Sequence, residues 1–110
     1  MIDWTRIKDL RSEIGEDDFL EVVAMFLEET DEVVGQLDGA PDLPAVESRL
    51  HFLKGSALNL GLTDLAALCQ TGERSAACGN AASVDLRAVT ACYQTAKMLL
   101  LASLDQPKAV

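Results

Sequence analysis

The segment HFLKGSALNLG, residues 51–61, holds the only histidine of the chain together with residues that could assist it. A neutral imidazole nitrogen can attack a phosphorus atom and later act as a leaving group. Lys54 follows His51 by about one helical turn and could place a positive charge beside the three oxygens of a transferred phosphoryl group. The residue types and their spacing therefore predict nucleophilic phosphoryl transfer at His51.

The helix that must carry this segment has a clear core face. At about 100° per residue, its apolar side chains gather on one side, and His51 falls on the opposite side, toward solvent. A histidine buried in the core and a merely solvated histidine are the alternatives. The apolar residues that form the predicted core face are Val46, Leu50, Leu53, Ala57 and Leu60.

Gly55 argues against a histidine that is only solvated. Glycine in a helix interior costs roughly 1 kcal/mol relative to alanine, so its use requires a reason. One turn from an exposed histidine, it removes a side chain that would crowd the imidazole. We therefore expect a partner to approach closely over Gly55.

Four further residues are predicted to contact that partner from the helix that carries His51. Glu47 and Ser48 flank His51 on the helical projection, one turn before it. Leu58 and, if the helix continues that far, Leu62 point in nearly the same direction as His51. An exposed leucine near a reactive histidine is well placed to enter an apolar surface of a partner, with acidic residues as a polar rim.

Other catalytic and metal-binding patterns do not occur in the sequence. It has no glycine-rich phosphate loop, no Ser-His-Asp set and no carboxylate pair with metal spacing. The spacing of Cys69, Cys78 and Cys92 matches no zinc signature. We predict no metal or cofactor on this chain and no kinase or ATPase activity. A metal-buffering bundle would favour a Glu-x-x-His motif, which the sequence lacks.

Charge and cysteine content restrict the partners and the compartment. The 110 residues include 18 acidic and 9 basic ones, for a net charge of -9. This charge repels nucleic acid and anionic membranes, so we expect a protein partner or a cation. We also expect the chain to be a monomer. An odd number of cysteines, with no signal-peptide pattern and no membrane-span pattern, predicts a location in the reducing cytoplasm.

Helical periodicity and glycine breaks predict an all-α fold. Short connections place successive helices antiparallel, so we expect an up-and-down four-helix bundle with a short extra N-terminal helix. Residues 1–105 would form one free-standing domain and residues 106–110 a loose tail. The predicted helices are one over 3–14, a second capped by Asp17, a third capped by Asp42 and ended near Leu60 by Gly61, a fourth from Thr63 to the segment CGN, and a fifth capped by Ser83.

The same segment resembles the signature of a known family. HFLKGSALNLG is similar to the pattern H-x-L-K-G-S-[SA]-x-x-L-G of histidine phosphotransfer (HPt) domains in two-component phosphorelays, which a Leu-x-x-Leu-Cys stretch follows, here Leu65, Leu68 and Cys69. The acidic stretch FLEVVAMFLEET also resembles the second helix of that family. The resemblance covers about residues 17–100 in the same order.

The resemblance implies a specific function. An exposed histidine on a four-helix bundle would accept a phosphoryl group from the receiver domain of a hybrid sensor kinase and pass it to the aspartate of a response regulator. The receiver would supply Mg²⁺, while this chain would offer His51, Lys54 and the opening at Gly55. A module that binds a receiver without phosphotransfer is the alternative, although such a module would be expected to have lost His51 or Lys54.

Three positions differ from the family's usual residues. Leu50 stands where the family often has alanine, which the helical register predicts to be a packing change. Gly72 stands where the family usually has leucine. Glu73 lies near a position that often holds a glutamine in contact with the imidazole. It could fix the ring by accepting the Nδ1 proton, hold the histidine protonated and slow it, or simply be solvated.

Overall fold

The computed structural model describes residues 2–37, 42–80 and 84–105, and this part of the chain is helical. Apart from one isolated bridge between Ile2 and Leu62, these residues form no β-structure, which confirms the all-α prediction. The five helices are α1 (Trp4–Ile14), α2 (Glu16–Leu37), α3 (Leu43–Asn59), α4 (Thr63–Ala77) and α5 (Leu86–Asp105).

Helices α2 to α5 pack around one core. Each contacts the next along the chain, and α5 returns to α2, so that α3 and α5 lie diagonally across the bundle. The short α1 packs on α2. The predicted four-helix bundle with an extra N-terminal helix is confirmed. Its fully buried side chains include Phe19, Val23, Leu50, Leu53, Leu65, Tyr93 and Leu100.

The predicted helix cap at Asp42 is present, and the structure adds a cap at Asp3, which the sequence placed only at the start of the first helix. A carboxylate oxygen of Asp3 accepts a hydrogen bond from the backbone N–H of Arg6 at 3.1 Å. Asp42 does the same for the backbone N–H of Ala45 at 3.0 Å. Such a cap contributes about 1 kcal/mol to helix stability. These contacts fix the starts of α1 and α3, which bears His51.

The remaining predicted caps are Asp17 and Ser83. The prediction that Asp17 caps the second helix is wrong, because α2 already begins at Glu16. Gly15, with a φ of 88°, turns the chain within one residue, and its carbonyl accepts the N–H of Phe19. The predicted cap Ser83 and the predicted tail 106–110 lie outside the described residues.

The turn from α3 to α4 depends on Gly61. Its φ of 72° is left-handed, and a Cβ there would lie 3.0 Å from the carbonyl oxygen of Asp3. The backbone N–H of Asp3 also donates a hydrogen bond to the carbonyl of Gly61 at 2.7 Å. Gly61 therefore ends α3 as predicted and joins the turn to the N-terminal segment.

No helix within the described ranges is both long enough and apolar enough to cross a membrane.

Candidate functional site

Helix α3 presents His51 to solvent because its apolar face is used by the core. Leu50, Leu53 and Ala57 are completely buried on that face. The His51 side chain, on the other side, is 68% exposed. The prediction of an exposed histidine is confirmed, and the core alternative is excluded.

Glu73 of α4 holds the imidazole and the lysine with one carboxylate. Its Oε1 lies 2.8 Å from Nδ1 of His51, and its Oε2 lies 3.0 Å from Nζ of Lys54. The Glu73 side chain is only 20% exposed. Glu73 is therefore not a merely solvated residue but the centre of a three-residue cluster, His51–Glu73–Lys54.

The charge state of Glu73 decides the direction of the hydrogen bond to His51. The hydrogen bond from Lys54 is the largest influence and lowers the pKa of Glu73, burial opposes this effect, and the bond with His51 lowers the pKa further. Glu73 is thus ionised at neutral pH and can only accept hydrogen bonds. The proton lies on Nδ1 of His51, which donates to Glu73 and leaves the lone pair of a neutral ring on Nε2.

The position of Glu73 follows from close packing one residue earlier. A Cβ at Gly72 would lie only 2.8 Å from Cδ1 of Leu50. The two departures from the family pattern therefore match each other, because the larger side chain of Leu50 fills the space over Gly72. Leu50 and Gly72 each precede a site residue, so the helices approach closely beside the contact of His51 with Glu73. Periodicity within one helix contains no signal for such a contact.

Gly55 leaves open space beside the histidine. A Cβ at this position would meet no heavy atom within 4 Å outside its own helical surroundings. Packing within the described chain therefore does not require glycine here. The geometry is compatible with the predicted approach of a partner.

The predicted contact residues on the histidine face divide into two groups. Leu58 is 58% exposed and Ser48 is exposed, while Glu47 is half-buried. The prediction for Leu62 is wrong, because Leu62 is only 1% exposed. Helix α3 ends at Asn59 and the chain reverses at Gly61, so Leu62 enters the core instead of continuing the face of His51.

Exposed apolar residues that the sequence reasoning missed lie on the neighbouring helix α2. Val22 and Met25 are exposed, and with Ser56, next to Gly55, they line a shallow groove between α1, α2 and α3. Phe52 is also exposed on α3. In the sequence, this groove could have been predicted from Val22 and Met25, which are apolar but do not lie on the core face of α2.

Among the described residues, no three Cys, His, Asp or Glu side chains are grouped so that they could hold a metal ion. Cys69 lies one turn before Glu73 and is fully buried. Burial raises the pKa of its thiol to about 12, so it is a neutral thiol and not a reactive thiolate.

Comparisons with known proteins agree with this geometry. The sequence profile of the Hpt domain matches residues 21–106. The fold is similar to the crystal structure of ZmHP2, a histidine-containing phosphotransfer protein from maize, with a TM-score of 0.79 and 21% sequence identity. The similarity covers 96% of this chain and 85% of the maize chain. A search of curated proteins found no match.

Proposed function

We propose, from the premise that this chain belongs to the Hpt domain family and has a role in phosphorelays, that His51 carries the phosphoryl group between two receiver domains. The donor would be the aspartyl phosphate of a hybrid histidine kinase receiver, and the acceptor would be the aspartate of a response regulator. The observation that carries this proposal is an exposed His51 whose Nδ1 is held by Glu73 at 2.8 Å.

The transfer can be written in terms of atoms at the site. The lone pair on Nε2 of His51 attacks the phosphorus, a P–N bond forms, and the P–O bond to the receiver aspartate breaks. The aspartate leaves as a carboxylate, while Nδ1 of His51 keeps its proton against Glu73. The second transfer reverses these steps toward another carboxylate.

Lys54 would supply positive charge during both transfers. Its side chain is 21% exposed, and Glu73 holds the ammonium beside the imidazole by the 3.0 Å contact. An ammonium placed there can interact with phosphoryl oxygens on Nε2 as negative charge develops. The divalent cation, Mg²⁺, would belong to the receiver, so we assign no metal or cofactor to this chain.

The receiver would dock over Gly55, Leu58 and the groove lined by Val22 and Met25. Leu58 is exposed on α3, which bears His51, and Val22 and Met25 are exposed on the neighbouring α2. Glu47 and Ser48 would lie at the polar rim of the interface, where charge selects partners. We place this exchange in the cytoplasm, since the cysteines Cys69, Cys78 and Cys92 are all unpaired thiols.

The decisive experiment is phosphorylation of the purified chain. Incubation with a phosphorylated receiver should add one acid-labile phosphoryl group, and His51→Gln should abolish it with an unchanged helical circular dichroism spectrum. ATP and Mg²⁺ alone should label neither the wild-type chain nor His51→Gln. Labelling that survives His51→Gln would place the site elsewhere, and receiver binding without any labelling would favour the alternative of a binding module.

The docking surface has its own test in Leu58. Leu58→Asp should weaken receiver binding by about 1–3 kcal/mol and leave the thermal midpoint within a few degrees, because Leu58 is 58% exposed. Titration calorimetry measures the binding. The control is Leu101→Asp on α5, where Leu101 is 41% exposed on the helix diagonal to α3. Equal binding by both variants would place the docking surface elsewhere.

A further inference from the structure

The ionised carboxylate of Glu73 faces Nδ1 of His51 at a distance that requires a proton between the two atoms. If the Nδ1 proton left, the lone pair of the ring and the negative charge of Glu73 would face each other at 2.8 Å. A carboxylate cannot relieve this repulsion by donating a hydrogen bond, whereas an amide could. The cluster therefore favours the ring protonated at Nδ1.

We infer that Glu73 is a positioning residue that keeps Nδ1 of phosphorylated His51 protonated and thereby shortens the lifetime of the P–N bond. This inference rests on the proposed function and names what Glu73 does within it. Glu73 acts through the imidazole and need not touch the phosphoryl group.

The effect on the P–N bond follows from the leaving group. When the bond breaks, its electron pair returns to Nε2. With the proton held on Nδ1, the ring leaves as neutral imidazole, while an unprotonated ring would have to leave as an imidazolate anion, which is far less favourable. The attacking oxygen, from an acceptor carboxylate or from water, forms the new P–O bond, and an attacking water releases its proton to solvent.

The surroundings of the ring leave Glu73 as the main control on the Nδ1 proton. On α3 the charged neighbours are Lys54, which is paired with Glu73, and Glu47, which lies one turn before His51. On α4 the titratable group one turn before Glu73 is Cys69, which is neutral because burial raises its pKa to about 12. The other charged side chains of α4 are Asp64 and Arg74. In the described part of the chain, neither α2 nor α5 sends a hydrogen bond or an ion pair to the imidazole.

Glu73→Gln is the matched test, because it keeps the size of the side chain and removes the charge. Both proteins would be phosphorylated with potassium phosphoramidate, a small donor that needs no docking surface, and freed of the donor. Loss of the phosphoryl group would then be followed by ³¹P NMR between pH 5 and pH 10. Nitrogen-15 NMR of the single histidine would report the ring proton in the same samples.

The wild-type P–N bond should remain labile to higher pH than that of the variant. In Glu73→Gln we expect the pH profile of hydrolysis to shift toward acid and the half-life near pH 8 to lengthen about tenfold, the scale of one charge-assisted hydrogen bond. Glu28→Gln, an equal charge change at an exposed position of α2, should follow the wild type.

The outcomes separate this inference from the proposed function. Identical hydrolysis profiles for wild type and Glu73→Gln, with both proteins labelled, would overturn the inference and leave the phosphotransfer function intact. In the unphosphorylated wild type, a nitrogen-15 spectrum that shows the proton of the neutral ring on Nε2 would also overturn the inference. Failure of the wild type to label from any donor would overturn the proposed function itself.

Discussion

At residue 55, glycine lowers the stability of α3 and leaves space beside His51. No heavy atom outside its own helical surroundings lies within 4 Å of where its Cβ would be, so Gly55→Ala should raise the free energy of unfolding by about 1 kcal/mol, as measured by urea denaturation. The longer Gly55→Gln should slow transfer from a phosphorylated receiver, because its side chain would occupy the space over which the receiver approaches.

Gly35 provides a matched control for Gly55. It also lies inside a helix, α2, and a Cβ there would likewise meet nothing within 4 Å. Gly35→Ala should give a similar gain in stability, and Gly35→Gln should transfer at the wild-type rate. If Gly55→Gln is as fast as Gly35→Gln, the glycine at position 55 has no role in access.

At the scale of elements, the site depends on how closely α3 and α4 approach. Leu50→Ala should lower the free energy of unfolding by about 2–5 kcal/mol, because Leu50 is fully buried. Gly72→Leu should also destabilise, since even a Cβ there lies 2.8 Å from Leu50 Cδ1. The double variant moves the larger side chain from α3 to α4, so it should recover part of the free energy of unfolding that each single variant loses.

A double-mutant cycle measures the interaction free energy between positions 50 and 72. The favourable coupling between Leu50→Ala and Gly72→Leu should be about 0.5–3 kcal/mol, the usual range for residues in contact. Leu53→Ala, which removes another fully buried leucine of α3, serves as the comparison and should couple less to Gly72→Leu. Strict additivity in both cycles would mean that the contact does not set the spacing of the helices.

The same two helices show what the sequence could and could not reveal. Periodicity within α3 predicted which side faces the core and therefore the exposure of His51, because both depend on one helix alone. The contact of His51 with Glu73 depends on how α4 sits against α3, which the periodicity of neither helix determines. Leu62 was misplaced for a related reason, since a helical projection holds only as far as the helix, and α3 ends at Asn59.

At the scale of the whole molecule, a polar contact joins α2 to α5. The hydroxyl of Tyr93, a fully buried residue, donates to Oδ1 of Asp31 at 2.6 Å, and Nζ of Lys97 donates to Oδ2 of the same carboxylate at 2.8 Å. The hydrogen bond from Lys97, followed by that from Tyr93, lowers the pKa of Asp31. This contact closes the ring of helices on the side where α5 meets α2, and it makes the stability of the bundle dependent on pH.

The sign of that dependence follows from the lowered pKa. An aspartate whose pKa is lower in the folded protein stabilises the fold above its unfolded value of about 4 and loses this effect as pH falls through the folded value. Because the Asp31 side chain is 44% exposed, solvent screens the ion pair. Asp31→Asn should therefore lower the free energy of unfolding at pH 7 by only about 1 kcal/mol.

The difference between wild type and Asp31→Asn should shrink toward zero as the pH falls below about 4, because the protonated aspartate then resembles asparagine in charge. Urea denaturation at pH 7, 5, 4 and 3 measures it. Glu32→Gln, at the exposed neighbouring position, should show no comparable difference at pH 7. If the free energy of unfolding of Asp31→Asn stayed below that of the wild type by a constant amount down to pH 3, Asp31 would act through packing alone. The contact between α2 and α5 would then carry no charge-dependent stability.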